Sequence, residues 1–207
     1  FGFTNEDITY LKSIGYEEDF LNYLKDLKFT GNIKSMQEGE ICFGNEPLLR
    51  VEAPLIQAQL IETILLNIIN FQTLIATKAS RIRQIATHDT LMEFGTRRAQ
   101  EIDAALWGAR AAFIGGFDST SNVRAGKLFN IPVSGTHAHA LVQTYGDEYI
   151  AFKKYAERHK NCVFLVDTFH TLKSGVPTAI KVAKELGDTI NFIGIRLDSG
   201  DIAYLSK

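Results

Sequence analysis

Cysteine is scarce in this chain of 207 residues, with only Cys42 and Cys162 present. Each sits in a short apolar run, Ile41-Cys42-Phe43 and Cys162-Val163-Phe164. They read as reduced, partly buried thiols rather than a disulfide scaffold. With no signal-peptide pattern, the expected compartment is a reducing cytoplasm. No Cys pair, H-x-x-x-H or H-E-x-x-H stands at ligand spacing, so no metal held by direct protein ligation is expected. G-x-S-x-G is missing and neither Cys is near a His in sequence, which weakens a nucleophilic hydrolase reading. There is no G-x-x-x-x-G-K-[ST] and no G-x-G-x-x-G. Charge of one sign is also lacking: 22 Lys and Arg against 24 Asp and Glu leave −2. A nucleic-acid partner therefore has no electrostatic footprint. The most apolar region, residues 55–75, is interrupted by Gln57, Gln59, Glu62, Asn67, Asn70 and Gln72. That pattern argues against a membrane span and for a buried or interface helix.

What remains is ordinary globular composition, 45% hydrophobic and 22% charged. Thr4-Asn5-Glu6-Asp7 has capping-box spacing and opens a helix that Gly15 stops. A second helix is expected near residues 17–27. Between residues 31 and 53, short apolar runs separated by Glu38-Gly39 and Gly44-Asn45 predict a small antiparallel β region. Pro54 opens a long helical region to about residue 85. Its basic end, Lys78 to Arg83, reads as a solvated face, with a phosphate contact as the alternative.

After Thr90 the pattern changes. Strand-like runs at 91–94, 131–133, 163–166 and 192–197 alternate with helical stretches at 99–114, 138–159 and 176–186, and another helix starts at Asp201. Alternation of this kind predicts parallel strands with crossover helices, in a βα barrel or an open doubly wound sheet. The expected organisation is residues 1–53 as an N-terminal helical and β region, 54–90 as a connecting helical region, and 91–207 as the βα part.

In such folds the loops after the strands carry the chemistry. Here they read Glu93-Phe94-Gly95-Thr96-Arg97-Arg98, Gly115 to Asn122, Ser134-Gly135-Thr136-His137-Ala138-His139, Asp167-Thr168-Phe169-His170 and Arg196-Leu197-Asp198-Ser199-Gly200-Asp201. Each residue also has a purely structural reading. Arg97 and Arg98 could pair with Glu93 or Glu101. Asp118 or Thr136 could cap a helix. Arg196 and Asp198, two apart on an extended segment, could pair with each other. Asp167 ends an apolar strand, where a carboxylate needs a partner. Only one residue separates His137 from His139, so at most one should enter a pocket. His88 and His159 are expected at the surface. The convergence of arginines, carboxylates, hydroxyls and a helix-start histidine suits a phosphorylated, hydroxyl-bearing anion such as a sugar phosphate.

At these loops the sequence resembles bacterial-type nicotinate phosphoribosyltransferases. The segments that carry the resemblance are Glu93 to Gln100, Gly115 to Val123, Gly135-Thr136-His137-Ala138-His139 and Arg196 to Asp201. The resemblance implies an irregular βα barrel (TIM-like, partial) behind the N-terminal helical and β region. It implies synthesis of nicotinate mononucleotide from nicotinate and phosphoribosyl pyrophosphate in NAD salvage, with ATP hydrolysis and Mg²⁺ accompanying pyrophosphate or ATP. It also implies a homodimer and a phosphohistidine, at His139 rather than His137 by the Gly-Thr-x-Ala-His pattern. Thr136 would hydrogen-bond nicotinate, and Arg196 would recognise its carboxylate. Phe94 would stack on the pyridine, Arg97 would lie at the base and phosphate end, and Asp118, Asp167 and Asp198 would lie along the ribose and its leaving group. Relatives using nicotinamide or quinolinate, and a non-catalytic sugar-phosphate-binding fragment, are the alternative readings.

The family often has Asp where this chain has His170. The chain starts in mid-pattern at Phe1 and stops at Lys207 as a helix should begin. A fragment of a longer protein, inactive alone, is therefore expected. The resemblance places the 5′-phosphate loop beyond Lys207 and a base-covering tyrosine before Phe1.

Overall fold

A computed structural model describes residues 2–207; Phe1, which opens the first expected region, lies outside them. The chain divides into two units, the first ending at Val133 and the second running from Ser134 to Lys207.

The first unit begins with α1 (Asn5–Ser13), where Asp7 N donates to Thr4 Oγ1 (3.2 Å) and Thr4 N to Asp7 Oδ2 (2.7 Å). This reciprocal cap satisfies two otherwise orphaned donors. α2 (Glu18–Lys25) buries Leu21 and Leu24 against Ile8 and Leu27. β1 (Asn32–Ser35) and β2 (Leu49–Glu52) pair antiparallel, with Ile33 opposite Val51. α3 (Leu55–Ile85) follows. Its side against α4 (Glu101–Ile114) is close: a Cβ on Gly115 would lie 2.5 Å from Ala76 O. That contact joins the segments on either side of residue 90.

Of α3, only Gln57, Ile61 and Ala79 are buried, while Leu55, Leu66, Leu74 and Ile85 are exposed. By length and mean hydropathy, 1.5 over its apolar window, α3 could cross a bilayer. Polar residues punctuate it throughout, and the expectation of a buried helix is not met, since most of its apolar side chains are exposed.

β3 (Met92–Glu93) pairs parallel with β4 (Ser119–Thr120). Thr120 N also donates to Pro132 O (3.0 Å), and Thr120 bridges Val133. The strand expected at 131–133 is reduced to this bridge, because Pro132 has no N–H to extend a ladder. α5 (Val123–Phe129), not anticipated from the sequence, is capped by Asn122 Oδ1, which accepts from Ala125 N (3.0 Å).

The second unit holds the larger continuous core. The helix expected over 138–159 is two helices, α6 (His139–Tyr145) and α7 (Glu148–Ala156). Gly146 ends the first at φ 66°, and Asp147 Oδ1 accepts from Ile150 N (2.9 Å) to cap the second. β5 (Asn161–Leu165) and β6 (Asn191–Arg196) pair parallel, with Leu165 opposite Arg196. α8 (Val176–Leu186) makes the crossover, and α9 (Ile202–Leu205) begins after Asp201 as the sequence suggests. Phe152, Phe164, Val142, Val166 and Val182 are fully buried, with Phe152 and Phe164 stacked at 4.8 Å. Burial of each such large side chain stabilises the unit by roughly 1.5–3 kcal/mol. The architecture is mixed α/β with three short two-stranded pairs among the described residues.

Candidate active site

The second unit gathers Thr136, His139, Asp167, Thr168, Arg196 and Asp198 at the exits of β5 and β6. His139 is the first residue of α6, so the helix starts three residues after Thr136, and neither Thr136 nor Ala138 caps it by side chain. Thr136 Oγ1 instead accepts from Arg196 Nη1 (2.8 Å) and donates to His137 O (3.1 Å). Arg196 Nη2 pairs with Asp198 Oδ1. The other oxygen, Asp198 Oδ2, lies 3.3 Å from His139 Nε2. The chain of contacts thus runs from Thr136 through Arg196 and Asp198 to His139. Hydrogen bonding from Arg196 is the main cause holding the Asp198 carboxyl below the usual range.

Asp167, whose side chain is 2% exposed, has the partners that its place at a strand end demands. Its Oδ2 accepts from Asp198 N (3.0 Å) and Ser199 Oγ (2.6 Å). Its Oδ1 accepts no hydrogen bond and lies 3.8 Å from His139 Nε2. Thr168 Oγ1, not singled out from the sequence, is 3.0 Å from His139 Nδ1. Only its position next to Asp167 could have drawn attention to it.

His137 goes the other way. It is buried, its Nε2 accepts from Leu165 N (3.0 Å), and its ring lies 4.9 Å from that of Tyr155. Burial pushes its pKa down. With Nε2 accepting the Leu165 N–H, the ring is part of the scaffold that fixes β5. His170 caps a π-turn (Thr171–Gly175), with Nδ1 accepting from Lys173 N (3.3 Å). A carboxylate at this position could accept the same bond, so His and Asp can do the same capping work here. His88 and His159 are exposed, as expected.

The remaining candidates belong to the first unit. Phe94 follows β3 and is half-buried, and Arg97 lies in a 3₁₀ turn (Thr96–Arg98). Glu93 braces this loop: its carboxylate accepts from Gly95 N and from Thr120 Oγ1 (2.6 Å). Asp118 does not cap a helix. It lies where the chain enters β4, whereas Phe94 and Arg97 follow the exit of parallel β3. Asp118 Oδ2 accepts from Leu91 N (2.7 Å) and pairs with Arg83 Nη2 (2.5 Å). Those contacts, the Leu91 N–H first, lower its pKa. Arg83 also donates to the carbonyls of Gly116 (2.7 Å), Ala86 and Asp89 (2.8 Å each). Lys78 and Arg81 are exposed as a solvated face should be, but Arg83 is a backbone clamp that the sequence pattern did not distinguish from them.

Comparison with known proteins identifies the family. A family profile described as the nicotinate phosphoribosyltransferase (NAPRTase) N-terminal domain matches residues 1–70, and one described as the nicotinate phosphoribosyltransferase family matches 90–206. The nicotinate phosphoribosyltransferase of Bacillus subtilis is 71% identical over the whole chain, which covers 42% of that protein. One from Mycobacterium tuberculosis is 40% identical, with 45% of its length covered. Among solved structures, human nicotinic acid phosphoribosyltransferase superposes with a TM-score of 0.84 at 30% identity, over 95% of this chain and 50% of that one. The nicotinate-nucleotide pyrophosphorylase of Pyrococcus furiosus superposes with a TM-score of 0.74 at 32% identity, over 83% and 43%. The chain thus spans less than half the length of these curated relatives.

Proposed function

Because the chain belongs to the nicotinate phosphoribosyltransferase family, we propose that it forms part of an enzyme that makes nicotinate mononucleotide from nicotinate and phosphoribosyl pyrophosphate, using ATP through a phosphate carried on His139. The observation that carries this reading is the run of contacts from Thr136 to His139 through Arg196 and Asp198. It links a cation suited to a planar carboxylate with a histidine placed among carboxylates. The parallel pairs β3–β4 and β5–β6, with their crossover helices, are proposed as pieces of an irregular βα barrel. A homodimer and a cytoplasmic location complete the proposal.

Glycosyl transfer at an anomeric carbon develops oxocarbenium character, which nearby carboxylates stabilise. Asp198 and Asp167 Oδ1 are the oxygens assigned to that task. Magnesium would be held chiefly by the substrate's phosphates, since among the described residues no group of three or more His, Cys, Asp or Glu could hold a metal ion. When bound with pyrophosphate, Mg²⁺ supplies neutralisation of the departing charge. Arg196 is assigned to the nicotinate carboxylate, since a guanidinium matches a planar carboxylate with two parallel hydrogen bonds. Thr136 then orients the base. The resemblance assigns Phe94 to stacking on the pyridine and Arg97 to the base and phosphate end. Asp118 is assigned a supporting role through Arg83. In the ATP half-reaction a ring nitrogen of His139 bonds the γ-phosphorus as its bond to the β–γ bridging oxygen breaks, and ADP leaves.

The test uses the full-length form and [γ-³²P]ATP. Acid-labile label is expected in the parent and absent in His139→Ala. Arg196→Lys is expected to impair nicotinate turnover far more than ATP hydrolysis, and equal losses would remove the carboxylate assignment. Turnover compared on nicotinate, nicotinamide and quinolinate separates this reading from the related pyridine transferases. Calorimetry with phosphoribosyl pyrophosphate on the 207-residue chain addresses the non-catalytic binding alternative.

A further inference from the structure

The two ring nitrogens of His139 have different neighbours. Nε2 faces oxygens of Asp198 (3.3 Å) and Asp167 (3.8 Å). Nδ1 faces the hydroxyl of Thr168 at 3.0 Å. An ionised carboxylate only accepts hydrogen bonds, whereas a hydroxyl can donate or accept. A lone pair on Nε2 would be directed at two anionic groups, one of them the unsatisfied Oδ1 of a side chain that is 2% exposed. A proton there is attracted by both. The other nitrogen of a neutral ring must then be an acceptor, and the Thr168 hydroxyl is placed to donate to it.

We infer that Thr168 is a positioning residue that acts through His139: its hydroxyl donates to Nδ1, holds the ring against the Asp167–Asp198 pair, and selects the tautomer with the proton on Nε2 and the lone pair on Nδ1. The functional weight of this arrangement rests on the reading of His139 as the reacting group. The hydrogen-bond geometry does not. The carboxylates favour the positive charge that the ring acquires when its lone pair is donated, as a buried aspartate does for a catalytic imidazole. Thr168 follows Asp167 directly in sequence. The loop that delivers the carboxylate to one nitrogen therefore delivers the hydroxyl to the other. His137 has no such pair of partners: its Nε2 accepts a backbone N–H.

The experiment reads the tautomer directly. The chain is labelled with ¹⁵N-histidine, and long-range ¹H–¹⁵N correlations are recorded at a pH above the end of the ring's titration. The His139 signals, one set of five, are assigned by their loss in His139→Gln. The parent is expected to show protonated Nε2 and unprotonated, hydrogen-bonded Nδ1. Thr168→Val should shift Nδ1 to the value of an unbonded pyridine-type nitrogen and admit the other tautomer, while Thr168→Ser should restore the parent spectrum. Thr168→Ala is the second hydroxyl-free variant if the valine disturbs packing. In the full-length form, initial labelling from ATP should fall about tenfold in Thr168→Val, the scale of one lost hydrogen bond, with ATP KM unchanged, and should recover in Thr168→Ser. A parent ring protonated on Nδ1, or a parent spectrum retained in the hydroxyl-free variants, overturns the inference. If the parent shows the expected tautomer but takes no label from ATP, the phosphohistidine reading fails and the Thr168 assignment stands.

Discussion

Two arginine–aspartate pairs, one in each unit, use the same chemistry for different ends. Arg83 reaches Asp118 across 35 positions of sequence and directs its other donors to the carbonyls of Gly116, Ala86 and Asp89. Asp118 in turn holds the N–H of Leu91. Apart from the ion pair itself, every contact in this set fixes backbone, and together they tie the end of α3 to the entries of β3 and β4. Arg196 pairs with Asp198 two positions away and reaches the hydroxyl of Thr136, while Asp198 faces His139. Here the partners are side chains that can themselves bind or react. The difference lies in what the remaining donors and acceptors meet, not in the pair.

The largest expected effect comes from removing the support beneath one pair only. A Cβ on Gly175 would fall 1.8 Å from Val166 O. Val166 immediately precedes Asp167, which accepts from the backbone N–H of Asp198. Gly175→Ala should therefore displace the β5 exit and cost more than ~3 kcal/mol in denaturant unfolding. A loss below ~1 kcal/mol would mean that the close approach relaxes easily. The first unit's pair should keep its native spectroscopic signature in a variant that still folds.

A smaller but more telling effect separates the pairs directly. Arg83→Met removes donors from three backbone carbonyls and leaves Asp118 without its cation. It should lower stability by ~2 kcal/mol. Arg196→Met should lower stability by less than ~1 kcal/mol and should abolish nicotinate turnover in the full-length form. Similar stability losses in both, or preserved turnover in Arg196→Met, would erase the distinction between clamp and site.

The smallest effect is on the acid limb. Asp118 and Asp198 both have folded-state pKa values below the usual carboxylate value. Each therefore contributes stability above its unfolded pKa, about 3.9, and that contribution is lost as pH falls through the lower folded value. Asp118→Asn and Asp198→Asn should each make stability less dependent on pH below about 4. Unfolding midpoints across that range measure the slope, and an unchanged slope in either variant would detach that carboxylate from its partners' stabilising influence.

Element types were largely legible because their signals are local. The Thr4–Asp7 box, the alternating strand and helix runs after residue 90, and the Asp201 start all depend on residues within a turn of one another. The loops carrying Thr136, His139, Asp167, Arg196 and Asp198 were legible because they follow strand-like runs in order. The division of 138–159 at Gly146, the reduction of 131–133 to a bridge, and α5 were less so. Each turns on a single glycine, proline or cap within a longer apolar pattern.

By itself, then, the sequence determined most of the succession of elements, the mixed α/β class, and the family, all of which rest on short-range periodicity and contiguous motifs. Only the tertiary structure decided that Arg83 is a clamp, that Asp118 lies at the entry of β4, that His137 turns into the core, and that Thr168 meets His139. Those outcomes depend on partners 27 to 35 positions away in sequence. A hydrogen bond is assigned by where a folded backbone brings its donor and acceptor, and no local pattern encodes that meeting.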